Sequence, residues 1–274
     1  MTVDEEVTGH YGRPGMLQAI LGAAANAGLD PDALAASDLS AVDEFHLGGL
    51  AATRSIFDLL DPVPGSRLLD VGAGIGGPAR VGASQYGCTV TGVDLTPELT
   101  ELATDLTARV GLDDRVSFQT ADAVSLPFPD GSFDLATLIH VGMNMPEKAR
   151  VFAEVRRVLE PGGRFAIYDQ MLSGTAQPAY PEPWAGDEGA SFLATAADYR
   201  TMLTDAGFGV ETEEDRTRAG IDFFTAMAAA AQDGPPPFGL HVLFGPAWPV
   251  RAGNNRKALE DGTLVATVIV ARAV

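Results

Sequence analysis

Asp70, Asp94, Asp122 and one glycine-rich loop are the residues whose types and spacing best suit chemistry. The apolar run Leu68-Leu69-Asp70-Val71 enters the loop Gly72-Ala73-Gly74-Ile75-Gly76-Gly77, and Pro78 and Ala79 open a predicted helix behind it. Strand, turn and helix in that order make a site for a nucleotide-type cofactor. Glycine permits positive φ and lets the backbone approach a ligand closely. The N–H groups that open the helix present a partly positive end to an anionic group. A second run, Cys88-Thr-Val-Thr-Gly-Val-Asp94-Leu95, ends in a carboxylate, and an acid there suits the two hydroxyls of a ribose. A third, Val116-Ser-Phe-Gln-Thr-Ala-Asp122-Ala123, also ends in an acid. Gly72-x-Gly74-x-x-Gly77 matches the dinucleotide fingerprint as well, so a nicotinamide cofactor is one reading of the loop.

Proton transfer needs another residue type. The histidines are His10, His46, His140 and His241. His140 follows a predicted fourth strand and is the first candidate for a base; His46, in Asp43-Glu44-Phe45-His46, is the second. Each could equally be a hydrogen-bonded structural residue. The single cysteine, Cys88, reads as buried filler at a strand start. No group of His, Cys and carboxylates has metal-ligand spacing, so no metal is expected.

The elements that must position these groups alternate. Strands are predicted near 67–72, 88–94, 115–120, 133–139 and 163–170, with helices near 77–86, 97–109 and 146–159. Alternating βα units imply a parallel, doubly wound α/β sheet. Ligands of such sheets lie beyond the carboxyl ends of the strands. That rule puts the loop, Asp94, Asp122, His140 and Asp169 on one rim. Residues 1–60 read as a helical cap, with helices near 16–27, 31–36 and 49–60. Asp30 is the expected N-cap of the second, with Pro31 in its first turn, and 40–45 is an expected loop. Residues 61–274 form the main domain. Within it, 172–194 is rich in Pro, Gly and Ala and reads as a lid or pocket loop. After a helix near 195–206 and a strand at 208–215, 216–261 reads as a helical insertion before the last strand, near 262–270.

Four features together resemble the class I S-adenosylmethionine-dependent methyltransferases. They are the D-x-G-x-G-x-G loop from Asp70, the acid Asp94 after the second strand, Ala121-Asp122-Ala123 after the third, and Leu159-Glu-Pro161-Gly162-Gly163-Arg164-Phe165 before the fifth. The resemblance covers roughly residues 65–172. Within the class the chain is most similar to bacterial small-molecule enzymes of the ubiquinone C-methyltransferase and sarcosine N-methyltransferase kind. It implies a seven-stranded Rossmann-like sheet whose last strand lies antiparallel between the fifth and sixth. It implies that Asp70, Gly72, Ala73 and Gly74 flank the methionine part of S-adenosylmethionine, that Asp94 takes the ribose, and that Leu95, Asp122 and Ala123 hold the adenine. Tyr11, in the cap, is a further expected cofactor contact; Tyr180 and Trp184 are expected pocket walls. The implied activity is methyl transfer to an oxygen, nitrogen or carbon of a small acceptor, with secondary metabolism as one setting. The alternatives are a protein of the same fold that binds the cofactor without methylating, as a cyclase or regulatory subunit, and an NAD-dependent oxidoreductase.

Composition narrows the partners. The formal charge is −19 and only Lys148 and Lys257 are lysines. Nucleic acid is therefore not expected as a partner, because phosphate neutralisation dominates such binding. No apolar run reaches membrane-spanning length, and the acidic start carries no visible signal peptide. A cytoplasmic protein acting on a small molecule is the expectation.

Overall fold

The computed structural model describes residues 15–232 and 234–274, so the expected cofactor contact Tyr11 lies outside the described residues. The N-terminal helices are α1 (Met16–Asn26), α2 (Ala36–Asp43) and α3 (Gly49–Leu60). The alternating core follows as β1 (Arg67–Val71), α4 (Gly77–Tyr86), β2 (Thr89–Asp94), α5 (Pro97–Arg109), β3 (Val116–Thr120), β4 (Phe133–Ile139), α6 (Lys148–Val158) and β5 (Leu159–Leu172). The last part holds α7 (Ala196–Asp205), β6 (Phe208–Asp215), α8 (Thr217–Ala230), the short α9 (His241–Phe244), α10 (Trp248–Glu260) and β7 (Leu264–Ala273). The strands form one sheet in the order β3-β2-β1-β4-β5-β7-β6. Strands β1 to β5 pair in parallel, and β7 runs antiparallel between β5 and β6. This is the seven-stranded, Rossmann-like α/β sheet that the sequence implies.

The apolar runs of the central strands β1, β4, β5 and β7 are buried on both faces, and successive side chains point to opposite sides. Leu68, Leu135, Ala166 and Val268 meet Ile56, Phe57 and Leu60 of α3 and Leu259 of α10. Their neighbours Leu69, Ala136, Phe165 and Ile269 meet Val151, Phe152 and Val155 of α6 and Leu203 of α7. A third cluster joins Ile20 and Ala24 of α1, and Leu39 and Val42 of α2, to Ile75 of the loop and to Leu99, Leu102 and Leu106 of α5. Burying each of the leucine, isoleucine, valine and phenylalanine side chains among them contributes about 1.5–3 kcal/mol.

One ion pair crosses that third cluster. Arg80 of α4 donates to Asp43 Oδ2 at 2.8 Å, to the Ile75 carbonyl at 2.7 Å and to Thr107 Oγ1 at 2.9 Å. Arg80 and Asp43 are both buried. Gly77 is required here: a Cβ on it would stand 2.3 Å from the Asp43 carbonyl oxygen. The end of α2 thus lies directly on the start of α4.

Two sequence expectations are corrected. No helix covers 31–36; Asp32 N–H donates to Asp30 Oδ1 at 3.0 Å and Ala33 N–H to the Asp30 carbonyl at 3.0 Å. An aspartate side chain that bonds two residues on closes a turn instead of capping a helix. The helix starts at Ala36, where Asp38 Oδ2 accepts from the Ala35 N–H at 2.8 Å, and it runs through the expected loop at 40–45 as far as Asp43.

Candidate functional site

The carboxyl ends of β1, β2 and β4 open onto one cavity. It is lined by Asp70, Gly72, Ala73, Gly74, Asp94, Leu95, Asp122 and Ala123, and also by His46 and His140. Every predicted site residue among the described residues therefore reaches the same space. Asp169 does not. It is buried, where Oδ1 accepts from Val141 N–H at 3.0 Å and Oδ2 from the Tyr199 hydroxyl at 2.8 Å. The rim rule places the end of β5, but strand parity turns Asp169 away and leaves Gln170 facing the cavity.

The loop is held by its neighbours. Gly72 and Ala73 N–H groups both donate to the Val93 carbonyl, at 2.8 and 2.9 Å. Gly74 N–H donates to Asp94 Oδ2 at 2.9 Å, and Thr96 N–H to Asp94 Oδ1 at 3.0 Å. Gly72 has φ +73°, and a Cβ there would lie 2.4 Å from Val141. Asp122 Oδ1 accepts from Val124 N–H at 3.0 Å. Asp70 Oδ1 accepts from Thr137 Oγ1 at 2.8 Å, while Oδ2 is buried without a partner. Burial pushes the Asp70 carboxyl up to about 6, and the charge of Asp94 adds to the rise. An orphaned carboxylate oxygen at the loop fits an ammonium group, and the two glycines leave room for it.

A second constellation stands across the cavity. His140 has φ +54°, a left-handed conformation uncommon outside glycine. Its N–H donates to the Tyr168 carbonyl at 2.7 Å, and its ring meets the Tyr168 ring edge-on at 4.7 Å. His140 Nε2 is buried and has no hydrogen-bond partner. The His46 ring lies 5.9 Å away, and His46 Nε2 is 2.9 Å from Thr53 Oγ1. Thr53 in turn donates to Glu44 Oε2 at 2.6 Å. Burial holds His140 well below the ordinary histidine value, and neighbouring His46 lowers it further. Burial lowers His46 to about 4 and raises Glu44 to about 8; the charge of Asp43 adds to the latter. Both rings are therefore neutral at neutral pH, and the Glu44 carboxyl keeps its proton.

These shifts give a stability profile. Glu44 is protonated in the folded chain up to about pH 8, against an ordinary value of 4.5. The folded state binds more protons in that window, so stability falls as pH rises through it. Asp169 and Glu182, raised to about 7 and about 8, act in the same sense. His46 acts below 6.5, where the unfolded chain takes a proton that the folded chain refuses until about pH 4. Urea melts are expected to show stability declining from pH 6 towards 8, while from pH 6 towards 4 the carboxyls and the histidines act in opposite senses. In Glu44→Gln the alkaline decline shrinks by on the order of 2 kcal/mol. An unchanged decline would show that Glu44 ionises freely in the fold.

Aromatic side chains close the remaining sides. Phe45 lies on the loop, its ring 3.2 Å from where a Gly74 Cβ would stand. It meets Phe244 edge-on at 6.0 Å, and Phe244 stacks on Trp248 at 4.9 Å. Phe223, Phe224 and Trp184 also line the cavity. Trp184 is the wall residue the sequence suggests, its Nε1–H donating to Ser191 Oγ at 2.9 Å; Tyr180 is not among the lining residues. No lysine or arginine lines the cavity among the described residues. Glu44, Phe45, Gln170 and Asn255, with the aromatic residues Phe223, Phe224, Phe244 and Trp248, are site residues that sequence reasoning did not assign. Only Glu44 and Phe45 had a local signal, as neighbours of His46.

Residues 69–167 match the methyltransferase domain family. A 27-O-demethylrifamycin SV methyltransferase of Amycolatopsis mediterranei is 32% identical over 81% of this chain and 84% of its own length. Methyltransferase GfsG of Streptomyces halstedii is 41% identical, but the match spans only 50% of each chain. Among solved structures, a geranyl diphosphate methyltransferase in complex with S-adenosylmethionine superposes with a TM-score of 0.67 at 23% identity, covering 82% of this chain and 85% of that one. The [4+2]-cyclase SpnF superposes at 0.66 with 25% identity, covering 94% and 93%. The chain belongs to the class I S-adenosylmethionine-dependent methyltransferases. It is of the small-molecule kind, and its cofactor is S-adenosylmethionine. The nicotinamide reading of the glycine loop gives way to that assignment.

Proposed function

We propose that the chain methylates a hydroxyl of an uncharged, largely apolar small molecule, and that His140 takes the hydroxyl proton. The observation that carries this reading is His140 Nε2, buried, neutral and without a partner in the cavity that the glycine loop also lines. A hydroxyl must lose its proton to a group in hydrogen-bond reach, whereas a tertiary amine needs no base. Bound S-adenosylmethionine supplies an electrophilic methyl on a cationic sulfur, and S-adenosylhomocysteine leaves. Asp70 would hold its ammonium, Gly72, Ala73 and Gly74 its methionine part, Asp94 the ribose, and Leu95, Asp122 and Ala123 the adenine. His46 is the second candidate base, with Thr53 and Glu44 fixing its ring. Most of the acceleration comes from holding the two reactants in line, and the aromatic walls exclude water from them.

The covering segments contribute to the same cavity: Phe45 and His46 from 1–60, Trp184 from 172–194, and Phe223, Phe244 and Trp248 from 216–261. They serve here as cap, lid and insertion around the acceptor. The absence of lysine and arginine from the described lining argues against a phosphorylated acceptor and against nucleic acid. No described helix is long and apolar enough to cross a membrane. A cytoplasmic setting is part of the same reading, and it suits the buried Cys88, whose thiol burial pushes up to about 11.

The test is to incubate the protein with methyl-labelled S-adenosylmethionine and a panel of hydroxylated aromatic and macrocyclic compounds, following S-adenosylhomocysteine release and labelled product. Cofactor binding without any labelled product favours the cyclase or regulatory alternative, which the similarity to SpnF keeps specific. For the cofactor end, Asp94→Ala is expected to weaken S-adenosylhomocysteine binding by about 1.5–3 kcal/mol, because ribose hydroxyls lose a charged acceptor. Calorimetry reads this directly. An unchanged Kd would mean that Asp94 only fastens Gly74 and Thr96.

A further inference from the structure

We infer that Gln170 and Asn255 form the subsite that recognises the acceptor, by binding a second hydroxyl or carbonyl of a neutral ring compound. The inference rests on the acceptor reading above. Asn255 Nδ2 donates to Gln170 Oε1 at 2.7 Å, and Gln170 Nε2 donates to Asn255 Oδ1 at 3.2 Å. Both residues are buried, 0% and 2% exposed, and both line the cavity. Neither contributes to the glycine loop or to the histidine group.

Each amide has two donors and an oxygen with two acceptor sites. The reciprocal pair uses one donor and one acceptor site on each side chain. Glu182 lies buried near Asn255, whose amide favours the charged form of that carboxyl. What stays for the cavity is one N–H and one acceptor site on each amide. Such a set accepts from a hydroxyl and donates to a carbonyl or hydroxyl oxygen, and it offers no charge to an ionised group. Polar side chains this deeply buried are costly unless their remaining capacity is met. Their backbone is fixed: Asn254 Nδ2 donates to the Pro181 carbonyl at 3.0 Å, tying α10 to the segment that carries Glu182.

Position completes the argument. Gln170 follows Tyr168 by two residues on β5, hence on the same face, and the Tyr168 ring supports His140. Two residues along a strand span about 7 Å. An acceptor gripped by the amides therefore reaches the His140 side with a functional group at its opposite end. Aromatic walls at Phe223, Phe244 and Trp248 suit a flat apolar body between the two ends.

The probes are 2,6-dihydroxynaphthalene and 2-naphthol, which differ by the far hydroxyl. Calorimetry on protein saturated with S-adenosylhomocysteine is expected to show the dihydroxy compound binding at least tenfold more tightly. In the double variant Gln170→Met/Asn255→Leu the two affinities become equal within about twofold, while 2-naphthol and S-adenosylhomocysteine bind as before. Removing both amides together leaves neither amide orphaned by loss of the other, which spares the fold the cost of one unpaired buried amide. A thermal melt and Gln170→Met alone, which retains part of the preference, guard against a purely structural effect. Equal binding of the two probes to the unaltered protein, binding of neither, or a preference that survives the double variant overturns the inference. Discrimination at the amides without release of S-adenosylhomocysteine from the cofactor-loaded protein would instead sink the methyl-transfer reading and leave the subsite standing.

Discussion

Replacing His140 by asparagine is expected to lower kcat by roughly 10²- to 10⁴-fold on any hydroxyl acceptor, the usual worth of a positioned base. Asparagine is the appropriate replacement because the residue sits at φ +54°, which Asn tolerates better than most side chains. The backbone turn after β4 should therefore survive, and with it the close packing of Val141 on Gly72. The loss should appear in kcat, with S-adenosylhomocysteine affinity unchanged within twofold. His46→Asn should cost less, since that ring is engaged with Thr53. A decline of less than about fivefold at His140 would make it a packing residue against Tyr168 and transfer the base role to His46.

The largest stability effect is expected at Asp43. Asp43→Asn leaves the Arg80 guanidinium buried with only neutral partners, and breaking a buried ion pair from one side costs about 3–5 kcal/mol. Urea denaturation measures it. The double change Asp43→Leu/Arg80→Met should recover most of the loss, because both charges leave together. Its residual effect should fall on cofactor binding, because Arg80 also holds the Ile75 carbonyl inside the glycine loop. Loss of under about 1 kcal/mol in Asp43→Asn would show that the pair is already relaxed by water.

The cofactor end was legible in the sequence because its determinants are local. Asp70 stands one residue before the glycines, and Asp94 and Asp122 each stand at or just past the end of their own strand, so strand periodicity puts all three on the rim and the resemblance supplies their roles. The sheet was legible for the same reason, down to the antiparallel last strand once the resemblance was drawn. The acceptor end is built from distant partners. Gln170 and Asn255 are separated by 85 positions, and neither residue type is unusual where it stands. Asp169 shows the limit of the rim rule from the other side: one residue of strand parity decides between cavity and core. The turn at Asp30 shows a local conflict, in which an aspartate suited to capping finds its partner two residues on and closes a turn.

The walls of the cavity come from separate stretches of chain, and this bears on how such an enzyme can diversify. The glycine loop is fastened by Val93, Asp94, Val141 and Asp43. None of these belongs to α8, α9 or α10, which bring Phe223, Phe244, Trp248 and Asn255. Selection acting on those helices can reshape what enters beside the methyl donor without disturbing how the donor is held. The stretch that matches the domain family, 69–167, ends before Gln170 and before every one of those helices. Inheritance of the cofactor end and turnover of the acceptor end can thus proceed at different rates within one chain.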